Sequence, residues 1–65
     1  MKHWEIGNFY VNEILYKEEI NLNAFQIINE KTKCEEYIYP KDINTLNQIR
    51  EILILICDYY YDGKD

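Results

Sequence analysis

The sequence contains no serine and only one histidine, His3. Without serine, a Ser-His-Asp catalytic arrangement is excluded. A cysteine nucleophile would depend on His3, which lies close to the N-terminus, where chains tend to fray. The composition therefore argues against nucleophilic catalysis, and we expect a protein that is not an enzyme.

Cysteine and glycine are also scarce. Cys34 and Cys57 are too few for the disulfide framework of a small secreted protein. With one histidine and no CxxC spacing, they do not supply a structural zinc shell either. Gly7 and Gly63 stand alone, so the chain has no glycine-rich phosphate loop. We expect no metal site and no cofactor.

Long hydrophobic runs are missing as well. The longest apolar run, residues 52–57, is far shorter than the roughly 20 residues that a membrane-spanning helix requires. The first residues lack the apolar region and cleavage site of a signal peptide. We therefore expect a cytoplasmic protein without membrane contact, folded as a single small domain over residues 1–65.

Positive charge is in the minority. Twelve acidic residues against seven lysines and arginines give a net charge of −5, with an isoelectric point near 4.7. Nucleic acids and anionic lipids require a basic footprint, which this composition does not provide. We expect no direct contact with nucleic acid, and a host protein with a basic surface is the more compatible partner.

A helix is the clearest element of the sequence. From Thr45 to about Tyr60, apolar residues recur at intervals of three and four, which is typical of one helical face. Thr45 and Gln48 fit a capping box at its start, with Asp42 as a competing N-cap. The recurring residues are Leu46, Ile49, Leu53, Ile56, Cys57 and Tyr60.

Strand-forming residues dominate the rest of the chain. Residues 24–39 read as a hairpin with a polar turn in its middle. Residues 9–17 fit either a strand or a helical stripe, and we prefer the strand because it completes a sheet of independent stability. The resulting α+β fold is a three-stranded antiparallel β-meander with one C-terminal α-helix packed on one face (β-β-β-α). The pattern leaves open which face the helix covers, and whether Trp4 lies in the core or at an interface.

The predicted helix carries two features that its packing does not require. Its apolar arc is about twice as wide as a helix on a sheet needs, and Leu55 falls within its polar face. On the same projection Glu51, Asp58 and Asp62 share one edge, with Asp65 beyond them and tyrosines between them. The candidate partner-binding residues are Glu51, Leu55, Asp58, Tyr59, Tyr61 and Asp62.

These features favour a non-catalytic, acidic protein-binding module. The leading hypothesis is an inhibitor from a phage or mobile element that mimics DNA and blocks the basic nucleic-acid-binding surface of a host protein. In size and acidity the chain is similar to small anti-defence proteins, including some anti-CRISPR proteins. The alternative is a homodimeric structural or regulatory module that uses the wide apolar face of the helix.

Overall fold

The computed structural model describes residues 1–63, and these form one antiparallel sheet, one α-helix and a short 3-10 helix. No helix among them is long and apolar enough to cross a membrane. The elements in chain order are β1 (Lys2–Ile6), β2 (Phe9–Lys17), the 3-10 helix (Glu18–Ile20), β3 (Leu22–Asn29), β4 (Glu35–Ile38), α1 (Ile43–Ile56) and β5 (Tyr59–Asp62).

The five strands are ordered β4-β3-β2-β1-β5, and every neighbouring pair is antiparallel. A two-residue turn joins β1 to β2 and begins with Gly7 at a φ of +57°, which glycine adopts without steric cost. The 3-10 helix joins β2 to β3 and is capped by Asn21, which is also left-handed. Short connections therefore place sequential strands side by side, except for β5.

The α+β class is confirmed, and the predicted strand over residues 9–17 coincides with β2. The predicted hairpin corresponds to β3 and β4. The three-stranded meander is nevertheless too small, because β1 and β5 extend the sheet beyond β2. These two strands pair with each other, with Lys2 opposite Asp62, and β5 has β1 as its only neighbour in the described sheet.

The helix differs from its predicted bounds at both ends. Its N-cap is Asp42, whose side chain accepts a hydrogen bond of 2.8 Å from the backbone N–H of Thr45, so Thr45 lies inside the first turn. The helix ends at Ile56, because Cys57 is already extended. The segment beyond it, predicted as helix up to about Tyr60, instead forms β5.

Trp4 is a core residue. Its side chain is fully buried, and its ring lies 5.9 Å from that of Phe25 and 5.4 Å from that of Tyr60, measured between centroids. The indole N–H has no hydrogen-bond acceptor among the described residues, so packing alone holds the ring in place. Leu46 of α1 belongs to the same buried core as Trp4, so the face of the sheet that carries Trp4 is the face that α1 covers. The buried core consists of Trp4, Val11, Leu22, Phe25 and Leu46.

A buried ion pair joins the helix to the middle of the sheet. Glu13 on β2 is only 4% exposed, and Arg50 on α1 donates to both of its carboxylate oxygens, with a distance of 2.7 Å from Nε to Oε1. Asn23 on β3 donates a further hydrogen bond of 2.7 Å to the same carboxylate. Arg50 is also held by the side chain of Asn47, one turn earlier on the helix. This bidentate pair fixes the position of α1 along the sheet.

Burial by itself raises the pKa of the Glu13 carboxyl. The hydrogen bonds from Arg50 and Asn23, together with the charge of the guanidinium, outweigh that effect. The pKa of Glu13 therefore lies below its ordinary value near 4.5. Folding thus favours the ionised form of this carboxylate, which links the stability of the domain to pH.

Removing Arg50 alone should destabilise the domain strongly. An Arg50→Ala variant leaves the Glu13 carboxylate buried without its cation, which costs about 3 kcal/mol or more of unfolding free energy. A double variant, Glu13→Leu with Arg50→Met, should lose clearly less, because it leaves no unpaired charge. Urea unfolding followed by the fluorescence of Trp4 measures both. Equal losses in the single and double variants would contradict this account of the pair.

Stability should also fall in acid. Above about pH 4.5 Glu13 is ionised in both folded and unfolded chains, so its contribution is complete. As the pH decreases below that value, the unfolded chain takes up a proton first, and the contribution is lost through the lower pKa of the folded state. The Glu13→Leu, Arg50→Met variant should show a shallower decrease in urea midpoint between neutral and acidic pH. The decrease in urea midpoint that remains in this double variant comes from other carboxylates. One of them is Asp42, whose pKa is lowered by its hydrogen bond with Thr45.

Candidate functional site

The sheet has one face covered by α1 and one face that no described element covers. We call the second one the open face. Because side chains alternate along each strand, the register assigns its members from the cross-strand pairs. The open face carries His3, Glu5, Tyr10, Asn12, Ile14, Ala24, Gln26, Ile28, Glu35, Tyr37, Tyr59 and Tyr61.

Tyrosine is concentrated on this face. Four of the seven tyrosines occupy the open-face positions given above. Tyr16 and Tyr39 join them, since the Tyr39 ring lies 5.0 Å from that of Tyr16 and is stacked on that of Tyr37 at 6.3 Å. The seventh, Tyr60, lies on the opposite face against Trp4, where burial raises its pKa. The open face thus presents six rings, of which all but that of Tyr10 are largely exposed.

A row of hydrogen-bonded polar side chains crosses the middle of the open face. His3 Nδ1 lies 2.7 Å from Asn12 Oδ1, and Asn12 Nδ2 donates to Gln26 Oε1 at 3.3 Å. Gln26 Nε2 in turn donates to Glu35 Oε1 at 2.9 Å and to the hydroxyl of Tyr37 at 3.3 Å. The row, which we call the polar row, links β1, β2, β3 and β4.

The two amide donors of the polar row both point toward β4, where Glu35 and Tyr37 accept from Gln26. Asn12 donates through its amide nitrogen to Gln26, and its amide oxygen is the atom that faces Nδ1 of His3. The other ring nitrogen, Nε2, lies 3.4 Å from a carboxylate oxygen of Glu5. Aligned hydrogen bonds strengthen one another, so the row holds its side chains in a defined arrangement before any partner binds.

The charges of the open face are negative. Glu5 and Glu35 occupy paired positions on it, while none of those positions in the described strands holds lysine or arginine. Lys17 lies only at the rim, with its ammonium 5.3 Å from the centre of the Tyr16 ring. Lys2 projects to the helix side, where it pairs with Asp62 at 3.3 Å. The open face is therefore an acidic, tyrosine-rich surface.

The structure separates the three carboxylates that were expected to form one helical row. Glu51 lies on α1, Asp58 lies in the connection after it, and Asp62 lies on β5 beside Lys2. The prediction of a single acidic edge was wrong, because the chain leaves the helix at Cys57 and no longer follows a helical projection. Asp65 lies outside the described residues.

The other candidate residues fall on opposite sides of the molecule. Tyr59 and Tyr61 alternate on β5 and both project from the open face, opposite Glu5 and His3. Leu55 projects from the outer side of α1 and is 83% exposed. Leu55, Tyr59 and Tyr61 were predicted to lie on one helix. In the structure they belong to two different surfaces.

Asp58 has a structural role that the sequence did not reveal. Its carboxylate accepts a hydrogen bond of 2.8 Å from the backbone N–H of Gly7, and its own N–H donates to the carbonyl of Glu5 at 2.7 Å. These contacts anchor the end of the helix to the turn between β1 and β2, where β5 begins. Asp58 is thus engaged within the fold.

The sequence did not predict the polar row. Gln26 and Tyr37 were placed on strands, but their faces could not be aligned without the register between β3 and β4. His3 was assigned to a frayed terminus, because β1 depends on pairing with β2 and β5. Residues 1–63 contain no group of three or more histidine, cysteine or acidic side chains placed to hold a metal ion.

Comparison with known proteins gives no relative. No protein-family description, no curated protein and no solved structure matches this chain.

The different roles of the three carboxylates can be tested by their effect on stability. Asp58→Ala removes the acceptor of the Gly7 N–H and should lower the unfolding free energy by about 1 kcal/mol. Glu51→Ala, on the exposed side of the helix, should change it by less than about 0.5 kcal/mol. Urea unfolding of the two variants decides the matter. Equal effects would contradict the placement of Asp58 between the helix and the turn.

Proposed function

We propose that this chain is a non-catalytic protein-binding module whose open face engages a basic surface of another protein. The observation that carries the proposal is the open face itself, which combines six tyrosines with carboxylates and with no cation at its paired positions. Each of these three properties favours a basic protein partner for its own physical reason.

Tyrosine supplies much of the contact energy in protein interfaces. Its ring buries a large area while ordering few rotatable bonds, and its hydroxyl forms hydrogen bonds at the edge of the contact. The face of the ring also attracts ammonium and guanidinium groups by about 0.5–1 kcal/mol at exposed sites. Exposed rings such as those of Tyr37, Tyr59 and Tyr61 therefore suit lysine and arginine side chains.

Charge selects the class of partner. Glu5 and Glu35 flank the centre of the open face, and the whole chain carries a net charge of −5. Complementary charge accelerates encounter with a basic surface and disfavours acidic partners. These carboxylates lie on the same surface as the tyrosines. The charges that attract a basic partner and the rings that contact it therefore belong to one binding surface.

The polar row favours binding without rearrangement. Binding costs less when the side chains of a surface are already ordered in the free protein. Hydrogen bonds fix Asn12 and Gln26 at the centre of the sheet, and Gln26 positions both Glu35 and Tyr37. The antiparallel strands beneath them hold these side chains at fixed spacings.

Single-stranded nucleic acid is the competing occupant of an aromatic sheet face, because bases stack on exposed rings. Proteins that bind it in this way combine the rings with a positively charged groove along the backbone. The open face has carboxylates in the place of such a groove, at Glu5 and Glu35. This arrangement favours a basic protein.

The narrowest form of the proposal is an anti-defence inhibitor of a phage or mobile element, which covers the nucleic-acid-binding surface of a host protein. Its support is the small size of the domain and its net charge of −5. The acidic surface would then be the open face, with Glu5, Glu35 and the tyrosines, in place of a row of carboxylates along the helix.

The proposal is tested with a labelled oligo-arginine peptide in fluorescence anisotropy. Replacing both open-face carboxylates, Glu5→Gln with Glu35→Gln, should weaken binding about fivefold, since each exposed ion pair contributes on the order of 0.5 kcal/mol. Binding should also weaken as salt increases, because salt screens exposed charges. A Tyr61→Leu variant should weaken it further by removing a ring from the same surface.

A charge-matched control separates the open face from the net charge. Glu19→Gln with Glu51→Gln removes two exposed carboxylates elsewhere and leaves the same net charge as the test variant. It should retain most of the affinity of the unmodified chain. Equal weakening by both double variants, or tight binding of labelled single-stranded DNA to the unmodified chain, would refute the proposed role of the open face.

A further inference from the structure

The second half of α1 exposes aliphatic side chains where a helix on a sheet normally carries polar ones. Leu55 is 83% exposed, and Ile52 and Ile56 are each 56% exposed. The spacing of three and four residues places these three side chains side by side along the helix. We call them the helix ridge.

The core of the domain does not use the helix ridge. The side of α1 that faces the sheet is formed by Leu46, which is fully buried, and by the partly buried Ile49 and Leu53. At 100° per residue, Leu55 points almost directly away from Leu46. No described residue lies outside the helix to cover it.

Arg50 shows how the helix ridge is oriented. Arg50 lies on the edge of α1 that faces Glu13. At this edge, Glu13 and Arg50 line a polar pocket together with Lys2 and Asp62, which we call the polar corner. Ile52 and Ile56 lie on the opposite edge by the same helical projection. The helix-covered face of the sheet also exposes Phe9 on β2 and Ile38 on β4. Phe9 lines a groove with Ile27 and Glu36, so the apolar surface of this face is bordered by a carboxylate.

We propose that the helix ridge is the interface between two copies of this chain. The charge distribution supports a second copy as the occupant. Residues 52–56 of α1 carry no charge and Glu51 lies at the edge of the helix ridge beside Leu55, while the chain as a whole carries −5. Two copies repel each other least where uncharged surfaces meet, and a two-fold contact places the same uncharged surface on both sides.

The size of the domain also supports self-association. Only six hydrophobic residues are buried within the described chain, and domains of this length often gain stability from a partner. A standard interface buries about 800 Å² per partner, roughly one sixth of the 4777 Å² surface of this domain. A helix of 14 residues, about 21 Å long, together with its apolar flank, offers a contact of that order.

Dimerisation would make the protein bivalent, and this consequence rests on the proposed function. The helix ridge and the open face lie on opposite sides of the sheet. A dimer joined through α1 therefore presents two open faces that point away from each other. Such a dimer engages two basic surfaces at once, with the gain in avidity that two linked sites provide.

Sedimentation equilibrium tests the interface directly. At about 100 μM, a dimer with a dissociation constant on the order of 1 μM is almost fully populated, so the unmodified chain should show close to twice its monomer mass of 8.0 kDa. Leu55→Lys should sediment as a monomer, because each copy would bring a desolvated ammonium into the contact. The dimer should persist or tighten as salt increases, since salt screens the repulsion between two acidic copies.

Leu15→Lys is the matched control. Leu15 is also a highly exposed leucine, but it lies on β2 beside Arg50 in the polar corner, so this variant should remain a dimer. Trp4 fluorescence verifies that each variant is folded. A monomeric unmodified chain, or equal dissociation by the two substitutions, would overturn the proposal. The opposite salt dependence of peptide binding separates a failure of the dimer from a failure of the proposed function.

Discussion

The bidentate pair between Glu13 and Arg50 is the contact on which the arrangement of this domain depends. It joins the central strand to the helix on the face that also carries the apolar core, and it fixes the position of the helix along the strands. Once α1 occupies that side, Trp4, Phe25 and Leu46 become the core, and the other side of the sheet is left without cover. A buried ion pair adds little net stability compared with an apolar contact of the same shape, but removing one partner is costly. Its main effect here is to specify one placement of a helix that is apolar on most of its circumference.

That placement gives the two sides of the molecule different physical characters. The open face is polar, acidic and rich in tyrosine, and its central side chains are ordered by hydrogen bonds from His3 to Glu35. The outer side of the second half of the helix is mainly aliphatic, with Glu51 at its edge. A polar, charged surface such as the open face suits charged partners that associate and dissociate. An apolar surface such as the helix ridge suits a lasting contact with another apolar surface. The two proposals for this chain follow from this difference.

Local patterns in the sequence predicted the parts of the fold whose causes are local. The polar turn from Asn29 predicted the hairpin of β3 and β4, residues 9–17 were assigned to a strand because a third strand completes the sheet, and the helical period predicted α1 up to Ile56. The pattern failed at Tyr59, Tyr60 and Tyr61, which fit a helical stripe as well as a strand. Only pairing with β1, at the other end of the chain, decides between them. Since the open face needs the register of all five strands, it could not be assembled from the sequence, although Tyr59 and Tyr61 were recognised as candidates.

The pairing of β1 with β5 also has a consequence for how the domain is made. Lys2 lies opposite Asp62, so the outermost ladder of the sheet joins residues that are 60 positions apart. Contacts of such separation require a large loop to close and slow the folding of small domains. During synthesis, β1 leaves the ribosome first but finds its outer neighbour only after β5 has emerged, although β2 is available early. Trp4 packs against Phe25 and against Tyr60, so the last part of its surroundings forms only when β5 pairs with β1.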